Sequence, residues 1–181
     1  VCTGQTLTLF ESTVPSATYS WTGPNSFSST LQNPTIASVT ALAAGTYTVT
    51  ATVSGCTSPT ATTVVVVNTT PAAPVASSNT PVCAGNTLNL FATLIPSATY
   101  SWTGPNSFSS SLQNPTIPSV TTAASGVYTV TATVSGCTSP TATTTVVINA
   151  IPAAPVATSN SPVCIGLTLN LFASTIPTAT Y

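Results

Sequence analysis

The chain has 181 residues with no Lys, Arg or His; its single acidic residue, Glu11, leaves a formal net charge of −1. That composition supplies no general base, no carboxylate pair and no adjacent base to activate a Ser or Thr hydroxyl, so no catalytic residue is expected. It also lacks the cations that nucleic-acid binding needs and the carboxylates of a calcium site, so neither that partner, nor a metal, nor any other cofactor is expected.

The chain repeats with a period of 81 residues: Cys2, Cys83 and Cys164 are evenly spaced (83 − 2 = 81; 164 − 83 = 81), as are Cys56 and Cys137, and Trp21 and Trp102. Roughly three quarters of positions 1–81 recur unchanged at 82–162, which is the mark of a tandem array of domains. Three units are expected: residues 1–70, lacking their N-terminal part, residues 71–151, and residues 152–181 as the start of a third. The whole reads as a window on a longer array.

The elements are clearest in the second unit. The connector PAAPVASSNTP at 71–81, repeated as PAAPVATSNSP at 152–162, is a semi-rigid Pro-rich spacer. Its part around Val75–Ser77 predicts a first edge strand, where Pro is tolerated. Gly4, Gly85 and Gly166, two residues past each first Cys, suit a tight turn into the next strand. Thr87–Ala92 alternates Leu88 and Leu90 with polar residues, a half-buried strand. Ala98–Thr103 places Tyr100 and Trp102 on one face. Gly104–Phe108 (GPNSF) is turn chemistry. Ile117 and Val120 fall in a short strand beside Pro115 and Pro118. Gly126–Val134 alternates strictly, with Tyr128, Val130, Ala132 and Val134 facing one way and Val127, Thr129, Thr131 and Thr133 the other. Ser135–Pro140 turns the chain, and Thr141–Asn149 is the last strand. The longest apolar stretch, Val64–Val67, suits one strand and is far short of the ~20 residues of a membrane span. Short strands at this spacing, with no helical periodicity, predict an all-β fold of tandem β-sandwich domains in a linear array.

The order C-x-G, L-x-L-F, Y-x-W, WTGPNSF, NPTI and SG-x-YTVT resembles the immunoglobulin-like and PKD-like repeats of very large secreted bacterial surface proteins, including adhesins of gliding bacteria. The resemblance covers the whole chain and implies a core built on Trp21 and Trp102 in strand C, with Tyr47 and Tyr128 in strand F. The inter-sheet cysteines of antibody domains are missing: Val49 and Val130 stand where the second would be.

Five cysteines (Cys2, Cys56, Cys83, Cys137, Cys164) in such a chain read as disulfide formers. One pairing stays within a unit, Cys2–Cys56 and Cys83–Cys137. The other runs between units. In an immunoglobulin-like sandwich the start of strand B and the end of strand F lie at opposite poles, on the order of 20 Å apart, whereas a disulfide needs Cα atoms within about 7 Å. That topology favours Cys2–Cys137, with Cys56 paired to a preceding unit and Cys83 and Cys164 to following ones.

Several surface features have a sharper and a blander reading. The aromatics Tyr19, Trp21, Tyr100, Trp102 and Phe108, with the amides of Asn25, Asn106, Gln32 and Gln113, could form a sugar platform, but on sandwich strands such residues are usually core. The outward Thr rows, with Thr48, Thr50, Thr129 and Thr131 at their centre, could contact glycan, ice or another surface, although Thr also simply suits a solvated strand. Asn68–Thr70 matches a glycosylation acceptor. The expected function is mechanical: a disulfide-stiffened repeat of an extracellular or cell-surface filament or adhesin stalk, whose partners are neighbouring repeats and copies of itself. A multivalent binding module is the alternative.

Overall fold

The computed structural model describes residues 1–177 and residue 180. The first repeat contains β1 (Leu7–Thr8), β2 (Thr18–Gly23), β3 (Phe27–Ser29), β4 (Thr35–Ile36), β5 (Gly45–Val53), β6 (Cys56–Thr57) and β7 (Ala61–Val65). The second contains β8 (Ala76–Ser78), β9 (Val82–Cys83), β10 (Leu88–Ala92), β11 (Thr99–Gly104), β12 (Phe108–Ser110), β13 (Thr116–Ile117), β14 (Gly126–Val134), β15 (Cys137–Thr138), β16 (Ala142–Val146) and β17 (Ile148–Asn149). In the third, β18 (Ala157–Ser159) pairs antiparallel with β19 (Leu171–Ala173).

The second repeat is a two-sheet sandwich. One sheet runs β13–β10–β8; the other runs β12–β11–β14, with β15 and β16 both pairing on β14. The short strands β9 and β17 run parallel along the edge. The first repeat has the same arrangement without a counterpart of β8, and its parallel edge contact is the bridge between Cys2 and Asn68. This strand order is that of an immunoglobulin-like sandwich.

Alternation along each strand decides what is buried. In β14, Tyr128, Val130 and Ala132 turn inward and are at most 1% exposed, while the threonines between them face out. They meet Leu88, Leu90 and Trp102, none of which is exposed, in one cluster. A separate cluster in the first repeat is built from Leu7, Leu9, Tyr19, Trp21, Tyr47 and Val49. The polar atoms of the core aromatics find partners, as burial demands, whereas the buried Ser78 hydroxyl has none. The indole N–H groups of Trp21 and Trp102 donate to the carbonyls of Gln32 and Gln113. The Tyr47 and Tyr128 hydroxyls donate to the carbonyls of Ala43 and Ala124, each at 2.9 Å. Ala43 and Ala124 are the last residues of single 3₁₀ turns, Ala41–Ala43 and Thr122–Ala124, which the sequence reading did not anticipate. Gly104 is required at the end of β11, because a Cβ there would overlap the Tyr128 ring.

Three expectations need correction. Gly104–Phe108 is not all turn: residues 105–107 make the turn, Asn106 and Ser107 adopt φ of 54° and 57°, and Phe108 already opens β12. Cys137 does not lie in a turn; the chain reverses at Ser135–Gly136, and Cys137 pairs with Val134 in β15. Thr141–Asn149 is two strands. Val147 interrupts it by accepting from Val82 N–H and donating to Thr80 Oγ1, and the chain then leaves β14 for β9.

Candidate functional site: the junction between repeats

The residues that can act together lie where the first repeat meets the second. Cys2 sits on the edge segment bridged to Asn68, at the distal end of the first sandwich. Cys137 sits on β15, just past the hairpin that reverses β14. The two are joined by a disulfide across 135 residues of sequence, with Cα atoms 5.6 Å apart. The within-repeat alternative, Cys2–Cys56 and Cys83–Cys137, is therefore not formed. Cys56, Cys83 and Cys164 are exposed thiols in this chain.

The bridge is one of three links. The Asn68 side-chain N–H₂ donates to the carbonyl of Ser135 at 3.0 Å, from the same edge and onto the same hairpin. The connecting peptide is the third, and it is pinned where it leaves the first repeat: Thr70 N–H donates to Thr3 Oγ1 at 3.0 Å, and its hydroxyl donates to the Thr3 carbonyl at 3.1 Å. Cys137 is 0% exposed, while Cys56, its counterpart in the first repeat, is exposed. A backbone, a covalent bridge and a directed hydrogen bond at separate points on one interface restrict both bending and twisting. The amide of Asn68 is thus committed to the junction, which gives the Asn68–Thr70 triplet a structural role.

The other candidate residues lie apart from this interface. Trp21, Trp102, Tyr47 and Tyr128 are core, at 2% exposure or less, and Tyr19 and Tyr100 are nearly as buried. Phe108 is half-buried against Tyr128, edge to face at 5.6 Å between centroids. No aromatic platform faces solvent at these positions. The amides named with them are partly occupied as well: Gln32 Nε2 donates to the Glu11 carbonyl and to Thr13 Oγ1, and Gln113 Nε2 to the Ala92 carbonyl. On the outward faces, Thr48 shares a hydrogen bond with Thr22 at 2.7 Å and Thr129 with Thr103 at 2.6 Å. Thr50 and Thr131 stand opposite Ser20 and Ser101 in the ladders. Burial pushes the Tyr47 and Tyr128 phenols above their ordinary pKa. Among the described residues no three His, Cys, Asp or Glu side chains come together as a metal site would require, and no helix is long and apolar enough to cross a membrane.

The fold and this junction define the class: tandem immunoglobulin-like β-sandwiches with a covalent clasp between successive repeats. No family model matches the sequence, and no curated protein matches it. Solved structures do resemble the chain. Murine CEACAM1b matches at 15% identity and a TM-score of 0.49, over 83% of this chain and 95% of that one. Extracellular domains 3–5 of Drosophila OTK match at 17% identity and 0.47, over 82% and 58%. The N-terminal four Ig domains of Dscam1 isoform 6.9 match at 15% and 0.35, over 82% and 42%. At these values the likeness says nothing about activity or partners.

Proposed function

We propose that this chain is a structural segment of an extracellular filament or adhesin stalk of the bacterial surface type, with units bounded near residues 70/71 and 151/152. The observation that carries the reading is the Cys2–Cys137 bridge, because it joins one repeat to the next instead of closing either sandwich. A disulfide placed that way restrains the angle between modules. Disulfides also belong to oxidising compartments. The near-identity of the repeats makes each junction equivalent to the next, so a direction set once is propagated along an array. The near-absence of charged side chains, Glu11 alone excepted, and the internal pairing of surface hydroxyls fit a module that presents little chemistry of its own.

Small-angle X-ray scattering tests this directly. The oxidised chain is expected to scatter as an elongated particle with a narrow distribution of maximum dimensions, and Cys137→Ser to broaden that distribution. Identical curves for the two, or a compact oxidised particle, would reject the reading. A glycan array and an ice-affinity assay on the oxidised chain check the binding alternative; retention that is lost on replacing Thr50 and Thr131 would favour it.

A further inference from the structure

Each repeat turns one sheet face to solvent that the clasp does not use. In the second repeat the outward positions of β11, β12, β14 and β16 are Ser or Thr with one exception, Val127. The first repeat presents the same surface on β2, β3, β5 and β7, and its exception is Val64. These two valines do not occupy equivalent positions. Val64 stands opposite Thr46, and Val127 opposite Thr145. The same rung therefore keeps one valine and one threonine with the strands exchanged (46 + 81 = 127; 64 + 81 = 145). Val66 and Val147 follow two residues beyond the rung. The four valines are 71%, 63%, 52% and 49% exposed for Val64, Val66, Val127 and Val147. In the second repeat they are open although β8 and the connector precede them. In the first they are open although another repeat is clasped beside them.

The hydroxyls around these valines already have partners. Thr103 pairs with Thr129 and Thr133 with Thr138, as Thr22 does with Thr48 and Thr52 with Thr57. A hydroxyl bonded within its own sheet loses less on leaving water than a free one. The face therefore costs little to cover and has few free hydrogen-bonding groups with which to grip a polar ligand. No charged side chain lies on it in either repeat, because Glu11 is the only one in the chain. A partner with a charged surface would have to bury its charges against a face that cannot pair them. Another copy of this face brings none.

We propose that this hydroxyl-and-valine face is a side-by-side contact with a second copy of the chain, the two faces stacking about 10 Å apart as the sheets of a sandwich do. The same patch meets itself, so the contact is isologous and joins rods in pairs. With strands about 4.8 Å apart and about 3.3 Å per residue, the face covers roughly 350 Å² of plane in each repeat. That is under half of the ~800 Å² per partner that a stable interface buries. One repeat therefore holds its partner weakly, and the contact strengthens where successive repeats engage together. This names the partner surface for the filament reading above and rests on it.

The test uses the 181-residue chain with its Cys2–Cys137 bridge intact and its free thiols alkylated. Sedimentation equilibrium up to about 1 mM protein is expected to show a weak, reversible monomer–dimer equilibrium. Val64→Lys combined with Val127→Lys, at two exposed positions, is expected to weaken it by about tenfold or more, and so is the matching pair of Glu substitutions. Mixing the Lys chain with the Glu chain is expected to restore association. Thr35→Lys combined with Thr116→Lys adds the same charge at exposed positions of the other sheet and is expected to stay within about twofold of wild type. Thermal melts confirm that each variant is folded, and Thr131→Lys, on the same face, replaces the valine pair if that one is not. A wild-type chain that stays monomeric throughout would overturn the proposal. So would association indifferent to the charged valine positions, an equal loss in the Thr35 and Thr116 variant, or no recovery in the mixture. A monomer with narrow elongated scattering would leave the rod reading standing and sink the lateral contact alone.

Discussion

Breaking the clasp should cost each repeat about as much as truncating a buried core side chain. If one repeat unfolds while the other stays folded, the bridge ties the unfolded segment back to the folded body. The unfolded loop so closed spans about 70 residues, from Cys2 to the start of the second repeat or from there to Cys137. The chain-entropy relation for a loop of that size gives about 4 kcal/mol at 25 °C, an upper figure beside the ~2–4 kcal/mol typical of native bridges. At about 4–8 °C per kcal/mol for a unit of this size, loss of 2–4 kcal/mol lowers Tm by about 10–30 °C. Differential scanning calorimetry of the wild type and of Cys137→Ser, both with free thiols blocked, reads the difference. Cys56→Ser is the control: its thiol is exposed and unbridged, so its Tm should stay within about 2 °C of wild type. If Cys137→Ser behaved like Cys56→Ser, the bridge would not be coupling the repeats, and the argument from loop closure would be wrong.

Asn68→Ala removes the directed bond to Ser135. It should cost about 0.5–1.5 kcal/mol of coupling between repeats, measured as the difference in unit stability on the reduced protein, with little effect inside either core. Gly104→Ala forces a methyl into the Tyr128 ring and should destabilise the second repeat by about 1–3 kcal/mol in urea titration while leaving the first untouched. Tyr128→Phe loses the bond to the Ala124 carbonyl and should cost about 1–3 kcal/mol, because a buried acceptor is left without a donor. Stability should also fall at high pH. The Tyr47 and Tyr128 phenols are raised by burial, so the unfolded chain ionises first. Their contribution is intact below the ordinary phenol pKa near 10 and is lost as pH rises through the higher folded values, at up to about 1.4 kcal/mol per pH unit for each tyrosine. Chemical denaturation from pH 8 to 11.5 should therefore show a downturn that shrinks in the Tyr47→Phe, Tyr128→Phe double variant.

The strands that alternate strictly could be read directly: β14 and β11 carry one buried residue in every two, and their inward sets contain the core aromatics. What could not be read was set by partners distant in sequence. The break at Val147 depends on Thr80, 67 residues earlier, capturing its N–H. The 3₁₀ turn before Tyr128 has no periodic signature; it is held by the tyrosine hydroxyl from within the sandwich. Phe108 looked like part of a turn because Pro105 and Asn106 precede it, and only pairing with β11 makes it a strand. At the junction, the cysteine spacing alone left two pairings open; the pole argument that follows from the immunoglobulin-like resemblance favoured Cys2–Cys137, and that is the bridge formed. The role of Asn68 had no signal beyond a sequon match.

The paired hydroxyls on the outer faces have one more consequence. Thr22 with Thr48, Thr52 with Thr57, Thr103 with Thr129 and Thr133 with Thr138 do across neighbouring strands what Lys–Glu pairs do in most proteins. Dissolved ions screen charges and have little to act on here. Strand pairing on these faces should keep its strength from deionised water to brine, an indifference to salinity that proteins latticed with ion pairs do not share.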